Sequence, residues 1–194
     1  MPINRRLAAI LFAGTILAVL SAAVYIWLGQ GRDDGVAVST GGLSNYVPAK
    51  ELKPVPAVQF MDETGRVMTL EDFRGRVVVL NLWATWCTPC VAEMPMLDRL
   101  QKQLEGKDAE VVALSIDRGG QQAVKEFYER IGVKRLRIYV DPTMRAQTGL
   151  GTLGLPTTLI IDREGRERGR LMGAAEWDDA AAVKLVLSAM EDPE

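Results

Sequence analysis

The spacing of apolar positions changes several times along the chain, and each change marks a predicted element. Residues 7–28 run 22 positions without a charge. At about 1.5 Å per residue they match the roughly 30 Å hydrocarbon core of a bilayer and predict one transmembrane helix. Residues 29–56 are rich in Gly, Ser, Asp, Val and Pro with no sustained period, the composition of a tether. Beyond them, strand-like and helix-like stretches alternate. Residues 57–61 and 66–70 flank Asp62-Glu63-Thr64-Gly65 as a hairpin. The β-branched runs 76–83 and 110–116 suit strands buried on both faces. Between them, 88–105 puts Met94, Leu97, Leu100 and Leu104 on one helical side with Gly106 as its stop, and 121–131 repeats that spacing with Val124, Phe127, Tyr128 and Ile131. A strand at 137–140, a helical turn or two at 142–148 and a strand at 157–161 follow. The turn 163–166 leads into a strand at 168–172, and an amphipathic helix at 177–190 closes the pattern.

Strands alternating with helices predict an α/β fold: a mostly parallel sheet with an antiparallel edge at the late hairpin, and helices on both faces. The expected organisation is an N-terminus 1–6, an anchor 7–28, a tether 29–56 and one domain 57–194. Arg5 and Arg6 precede the apolar run and Asp33 and Asp34 follow it, so the positive-inside rule keeps the N-terminus cytoplasmic and exports the rest. A cleaved signal peptide shares the basic start. The run exceeds the usual apolar stretch of about 7 to 15 residues, and Tyr25, Ile26 and Trp27 do not resemble a small-residue cleavage site, which favours an uncleaved anchor.

The chain has 23 Lys+Arg against 25 Asp+Glu. Residues 1–28 contain two arginines and no acid, leaving 21 basic against 25 acidic groups, about -4, on the exported part. No basic field invites nucleic acid or anionic lipid headgroups. The absence of histidine removes His-ligated metal and haem sites, the Ser-His-Asp triad and the Cys-His pair of cysteine hydrolases. Two cysteines cannot complete a four-Cys metal site. The expectation is chemistry on thiols, carboxylates, amines or hydroxyls, with no metal and no cofactor.

Both cysteines fall in Trp86-Cys87-Thr88-Pro89-Cys90, where a buried strand meets a helix. There Cys87 sits at the helix N-terminus, where orphan N–H groups and the helix dipole favour its thiolate and lower its pKa below about 8.5. Pro89 suits the first turn, which has no use for its missing N–H. Cys90, one turn in, reaches Cys87 but lies deeper. That asymmetry makes Cys87 the attacking sulfur and Cys90 the resolving one. A purely structural disulfide across so short a loop restrains few unfolded conformations.

Trp83-Ala84-Thr85-Trp86-Cys87-Thr88-Pro89-Cys90, followed by Glu93 and Pro95 and much later by Gly154-Leu155-Pro156-Thr157-Thr158, resembles the thioredoxin superfamily. The WATWC form, the leading anchor and the first hairpin resemble its membrane-anchored TlpA/ResA branch. The resemblance covers about residues 48–194 and implies a thioredoxin-like fold, a central mixed sheet flanked by helices, with an N-terminal β-hairpin addition. It makes Pro156 the cis-proline beside the active site, with Leu155 offering its backbone to a substrate strand. Pro95 becomes a helix-kinking proline that frees the carbonyl of Val91. Asn81 stands where thioredoxin has a buried acid, so that proton-transfer role is vacant. Glu93 matches a glutamate of the TlpA/ResA branch that would accept the proton of Cys90 if burial raises its pKa; as a first-turn acid favoured by the helix dipole it needs no such role. Trp86 reads as packing and substrate-facing, Trp83 as core.

The function so implied is a thiol-disulfide oxidoreductase on the periplasmic side of a bacterial inner membrane. It would reduce disulfides of exported partners in cytochrome c or oxidase copper-site maturation, fed by a membrane thiol transporter of the DsbD/CcdA type. A general dithiol oxidant shares the CxxC core. A copper chaperone of this fold would use a CxxxC pair and a distant His, neither present. A peroxidase of the peroxiredoxin type would place its cysteine on a different loop.

Overall fold

A computed structural model describes residues 42–191. The predicted N-terminus 1–6, the anchor 7–28 and the first part of the tether lie outside the described residues. Among the described residues no helix is long and apolar enough to cross a membrane. The strands are β1 (Tyr46–Pro54), β2 (Gln59–Asp62), β3 (Val67–Thr69), β4 (Val77–Trp83), β5 (Ala109–Ser115), β6 (Tyr139–Val140), β7 (Thr157–Ile161) and β8 (Arg166–Met172). The helices are α1 (Thr88–Gln103), α2 (Gly120–Ile131), α3 (Arg145–Gly149) and α4 (Ala180–Ser188), with a 3-10 turn at Leu70–Phe73. One eight-stranded sheet runs in the order β1-β8-β7-β4-β5-β6-β2-β3.

The sheet is mixed rather than mostly parallel. Only β4–β5 and β5–β6 run parallel, while β7 and β8 continue the sheet antiparallel beyond β4. Local hydrophobic patterning reports burial and not strand direction. The expected first hairpin is present as β2–β3. Its turn and the late one share a device: Asp62 and Asp162 each accept backbone N–H bonds from two and four residues on, and Gly65 and Gly165 take positive φ of 82° and 70°.

Tyr46–Pro54, expected to belong to the tether, forms β1 and pairs antiparallel with β8. Two prolines, an exposure pattern that repeats every third residue and a register break between Pro48 and Lys53 hide it from a period-2 reading. An edge strand tolerates all three. The last helix starts later than predicted: Asp179 caps it by accepting from the N–H of Ala182 at 2.7 Å, which leaves Trp177 in the preceding loop.

All seven residues of β4 are buried, and their alternation sorts them between two cores. Val77, Val79 and Trp83 face the core shared with Met94, Leu97 and Leu100 of α1, Phe127 of α2 and Val186 of α4. Val78, Leu80 and Leu82 face the core built on Phe60, Phe73 and Leu150. Each fully buried side chain of this kind contributes roughly 2 kcal/mol. Trp83 is core as expected, stacked on Tyr128 with ring centroids 5.8 Å apart. Asn81 falls between Val79 and Trp83 in this alternation, so its amide points to the α1 side of the sheet.

Candidate active site

β4 delivers the chain to the site. After Trp83 a turn closes with the Cys87 N–H donating to the Ala84 carbonyl at 3.1 Å. Cys87 is the N-cap of α1, with extended backbone angles and no side-chain cap, and its carbonyl accepts the first helical bond from Val91 at 3.0 Å. Thr88 and Pro89 form the first helical positions, as the sequence requires. Cys87 and Cys90 form a disulfide, their Cα atoms 5.2 Å apart. Cys87 keeps 7% of its surface and Cys90 none. Of the pair, only Cys87 keeps any exposed surface. Trp86 is 66% exposed beside it. Pro95 lies inside α1.

The second half of the site comes from β7. Leu82 opposes Thr157 in the β4–β7 register, which brings the segment before β7 to the end of β4 where the disulfide sits. The Leu155–Pro156 peptide is cis. The segment is held on both sides: the Thr157 hydroxyl donates to the Gly154 carbonyl at 2.7 Å, and the Gly173 N–H donates to the Pro156 carbonyl at 2.9 Å. Leu155 is half-buried at its lip.

Glu93 lies three residues past Cys90, on the same side of α1, and is 1% exposed. Every partner of its carboxylate is neutral. Oε1 accepts from Asn81 Nδ2 at 2.7 Å, and Oε2 accepts from Trp177 Nε1 at 3.0 Å and from the Ala175 N–H at 3.2 Å. Burial pushes the acid up from 4.5 to about 7, while the three hydrogen bonds pull it down. Counted from the N-cap Cys87, the acid also lies beyond the first turn of α1, contrary to expectation. Asn81 also donates to Thr158 Oγ1 at 2.9 Å, its cross-strand neighbour on the same face. The position read as vacant thus does work of another kind: an amide that cannot titrate holds an acid that can. Sequence reasoning missed Trp177 and Ala175, whose contacts with Glu93 span 84 and 82 positions. An indole N–H beside an acid carries no local spacing signal.

A dithiol–disulfide pair at a helix N-terminus, a cis-proline loop across from it and this sheet order define a thiol-disulfide oxidoreductase of thioredoxin-like fold. The Redoxin profile matches residues 50–186. The chain is 33% identical over 167 residues to thiol-disulfide oxidoreductase ResA of Bacillus thuringiensis (strain Al Hakam), covering 84% of this chain and 88% of that one. It is 34% identical over 174 residues to ResA of Oceanobacillus iheyensis, covering 87% and 83%. Among solved structures it is similar to a putative thiol:disulfide interchange protein DsbE from Chlorobium tepidum, with TM-score 0.65, 28% identity and coverage of 73% and 98%. It is also similar to the exposed lipoprotein thioredoxin Etrx1 from Streptococcus pneumoniae, with TM-score 0.58, 29% identity and coverage of 68% and 98%. The chain belongs to the Redoxin family of the thioredoxin superfamily and is ResA-like.

Proposed function

We propose that the protein works as a reductase of disulfides in exported partners, anchored by residues 7–28 to a bacterial inner membrane with its domain on the periplasmic side. The Cys87 thiolate attacks one sulfur of the partner's disulfide. That bond breaks, a Cys87–partner disulfide forms and the first partner thiolate leaves. Cys90 then gives its proton to Glu93 and attacks Cys87 Sγ, expelling the second partner thiolate. Two electrons have passed to the partner, and the Cys87–Cys90 disulfide remains. A membrane thiol transporter of the DsbD/CcdA type returns the electrons. Trp86, Leu155 and Pro156 form the surface on which the partner's extended segment lies. Likeness to ResA supports cytochrome c maturation as the setting, with oxidase copper-site cysteines as the neighbouring alternative.

The observation that carries this reading is the buried Glu93. A carboxylate with a pKa near 7 and no cationic partner in its hydrogen-bond set is suited to take a proton from a thiol sealed in the same core. The test is Cys90→Ser in cells. Cys87 then accumulates as a mixed disulfide with its partner, released by dithiothreitol and identified by mass spectrometry, while the parent chain is largely reduced after acid quench and alkylation. A parent chain found largely oxidised in wild-type cells, and reduced only when a disulfide-forming oxidant is removed, would make the protein a dithiol oxidant instead.

A further inference from the structure

We infer that Asp117 is a positioning residue for Cys87, acting through Thr85. The inference rests on Cys87 being the attacking sulfur. β5 ends at Ser115, next to the end of β4 at Trp83, and Asp117 follows two residues on, 5% exposed. Its Oδ2 accepts from the Thr85 N–H at 2.8 Å and its Oδ1 from the Thr85 hydroxyl at 2.8 Å. The Ser115 hydroxyl donates to Oδ2 at 2.8 Å and accepts from the Asp117 N–H at 3.0 Å. Among the described residues no ion pair includes this carboxylate. A buried polar group held only by hydroxyls and an N–H is expensive unless its hydrogen bonds are well made. Two of the three come from a single residue of the active-site turn, Thr85.

Thr85 is the first corner of the turn from Ala84 to Cys87, and Trp86 is the second. The exposed Trp86 side chain is in no position to hold that turn. Asp117 grips Thr85 by main chain and side chain together, which sets the corner's dihedrals. Those dihedrals determine how Cys87 Sγ leaves the N-cap at the positive end of α1. Disulfide exchange needs three sulfurs nearly in line, so a small rotation at this corner misaligns the attack. The Glu93 side of the site governs the proton; the Asp117 side governs the direction of the sulfur.

The test uses the reduced full chain with four variants, Thr85→Val, Thr85→Ser, Asp117→Asn and the double Thr85→Val/Asp117→Asn. Readouts are kcat/KM for reduction of insulin disulfides with dithiothreitol regenerating the dithiol, the pH midpoint of Cys87 alkylation by iodoacetamide, and Tm. Ionisable groups around Cys87 are Cys90 and Glu93 on α1, and Asp117 and Arg118 beyond β5; residues 146–161 and 171–175 contain none. Thr85→Val changes no charge, so it reads geometry alone. It lowers kcat/KM about tenfold and raises the alkylation midpoint, because Sγ is displaced from the positive end of α1. Thr85→Ser retains parent values, and the double variant is no slower than Asp117→Asn, since both changes remove one contact. Thr85→Val with parent kcat/KM and midpoint but lowered Tm would make the clamp structural only and overturn the inference, as would losses that add in the double variant. If Asp117→Asn fails to fold, the Thr85 pair decides. Failure of Cys90→Ser to trap any partner strikes the function reading, and leaves these alkylation results standing on their own.

Discussion

Two buried glutamates sit at opposite ends of the central strands. Glu110, at the start of β5, is 9% exposed, and Glu93, on α1 beside the disulfide, is 1% exposed. Arg76 Nη1 reaches Glu110 at 2.7 Å, and the Tyr139 hydroxyl donates to it at 2.7 Å. Burial and Glu110 itself push the Tyr139 phenol up, so it stays a donor. Glu93 meets only an amide, an indole and a backbone N–H. A guanidinium compensates a buried carboxylate on the spot; neutral donors compensate it in part, and burial then lifts the pKa toward neutrality. The same residue type is ion-paired in one place and held by neutral donors alone in the other. The two sites differ in the charge of the partners, and Glu93 is also the deeper of the two.

The comparison breaks most sharply with Glu93→Gln, which keeps the shape and removes the titration. Reduction of a protein disulfide slows by about a hundredfold, the contribution of a well-placed general base, and the limb of the pH–rate profile near 7 disappears. Stopped-flow reduction across pH 5 to 9 checks it; an unchanged profile returns Glu93 to a structural role. Stability gives the next largest effect. Glu93 holds its proton to about 7 in the folded chain, against 4.5 for the free side chain. The folded state therefore binds more protons between these values. Its advantage is complete below about 4.5 and is lost as pH rises to about 7, on the order of 3 kcal/mol in all. Urea titrations across that window show stability falling as pH rises in the parent and a flatter profile in Glu93→Gln. Glu110→Gln has the smallest effect. The Arg76 side chain is 53% exposed and can turn to water, so the loss is under about 1 kcal/mol, with exchange rates within about twofold of the parent by the same assay.

How legible this contrast was in the chain follows from distance along it. The strand at β4, the start of α1 at Thr88, both hairpins and the cysteine pair are local signals, complete within a few residues. The cis-proline segment was legible through its motif. The partners of Glu93 were not: Asn81 read as a lost acid and Trp177 as the start of a helix, because what they do depends on residues 12 and 84 positions away. Strand direction escaped for a related reason, since an apolar run looks the same whichever way it lies. β1 escaped because two prolines and a register break erase the alternation that marks a strand.

Those same irregularities have a consequence for how molecules of this protein meet one another. An open sheet exposes a row of unpaired N–H and C=O groups at each side, a template on which another chain can grow and aggregate. One border here is β1, with Pro48, Lys50, Lys53 and Pro54 along it; the other is β3, three residues long. Prolines remove donors, lysines repel a second copy, and three residues offer too little ladder to hold one. Among the described residues both borders of the sheet are thus poor templates for a further strand.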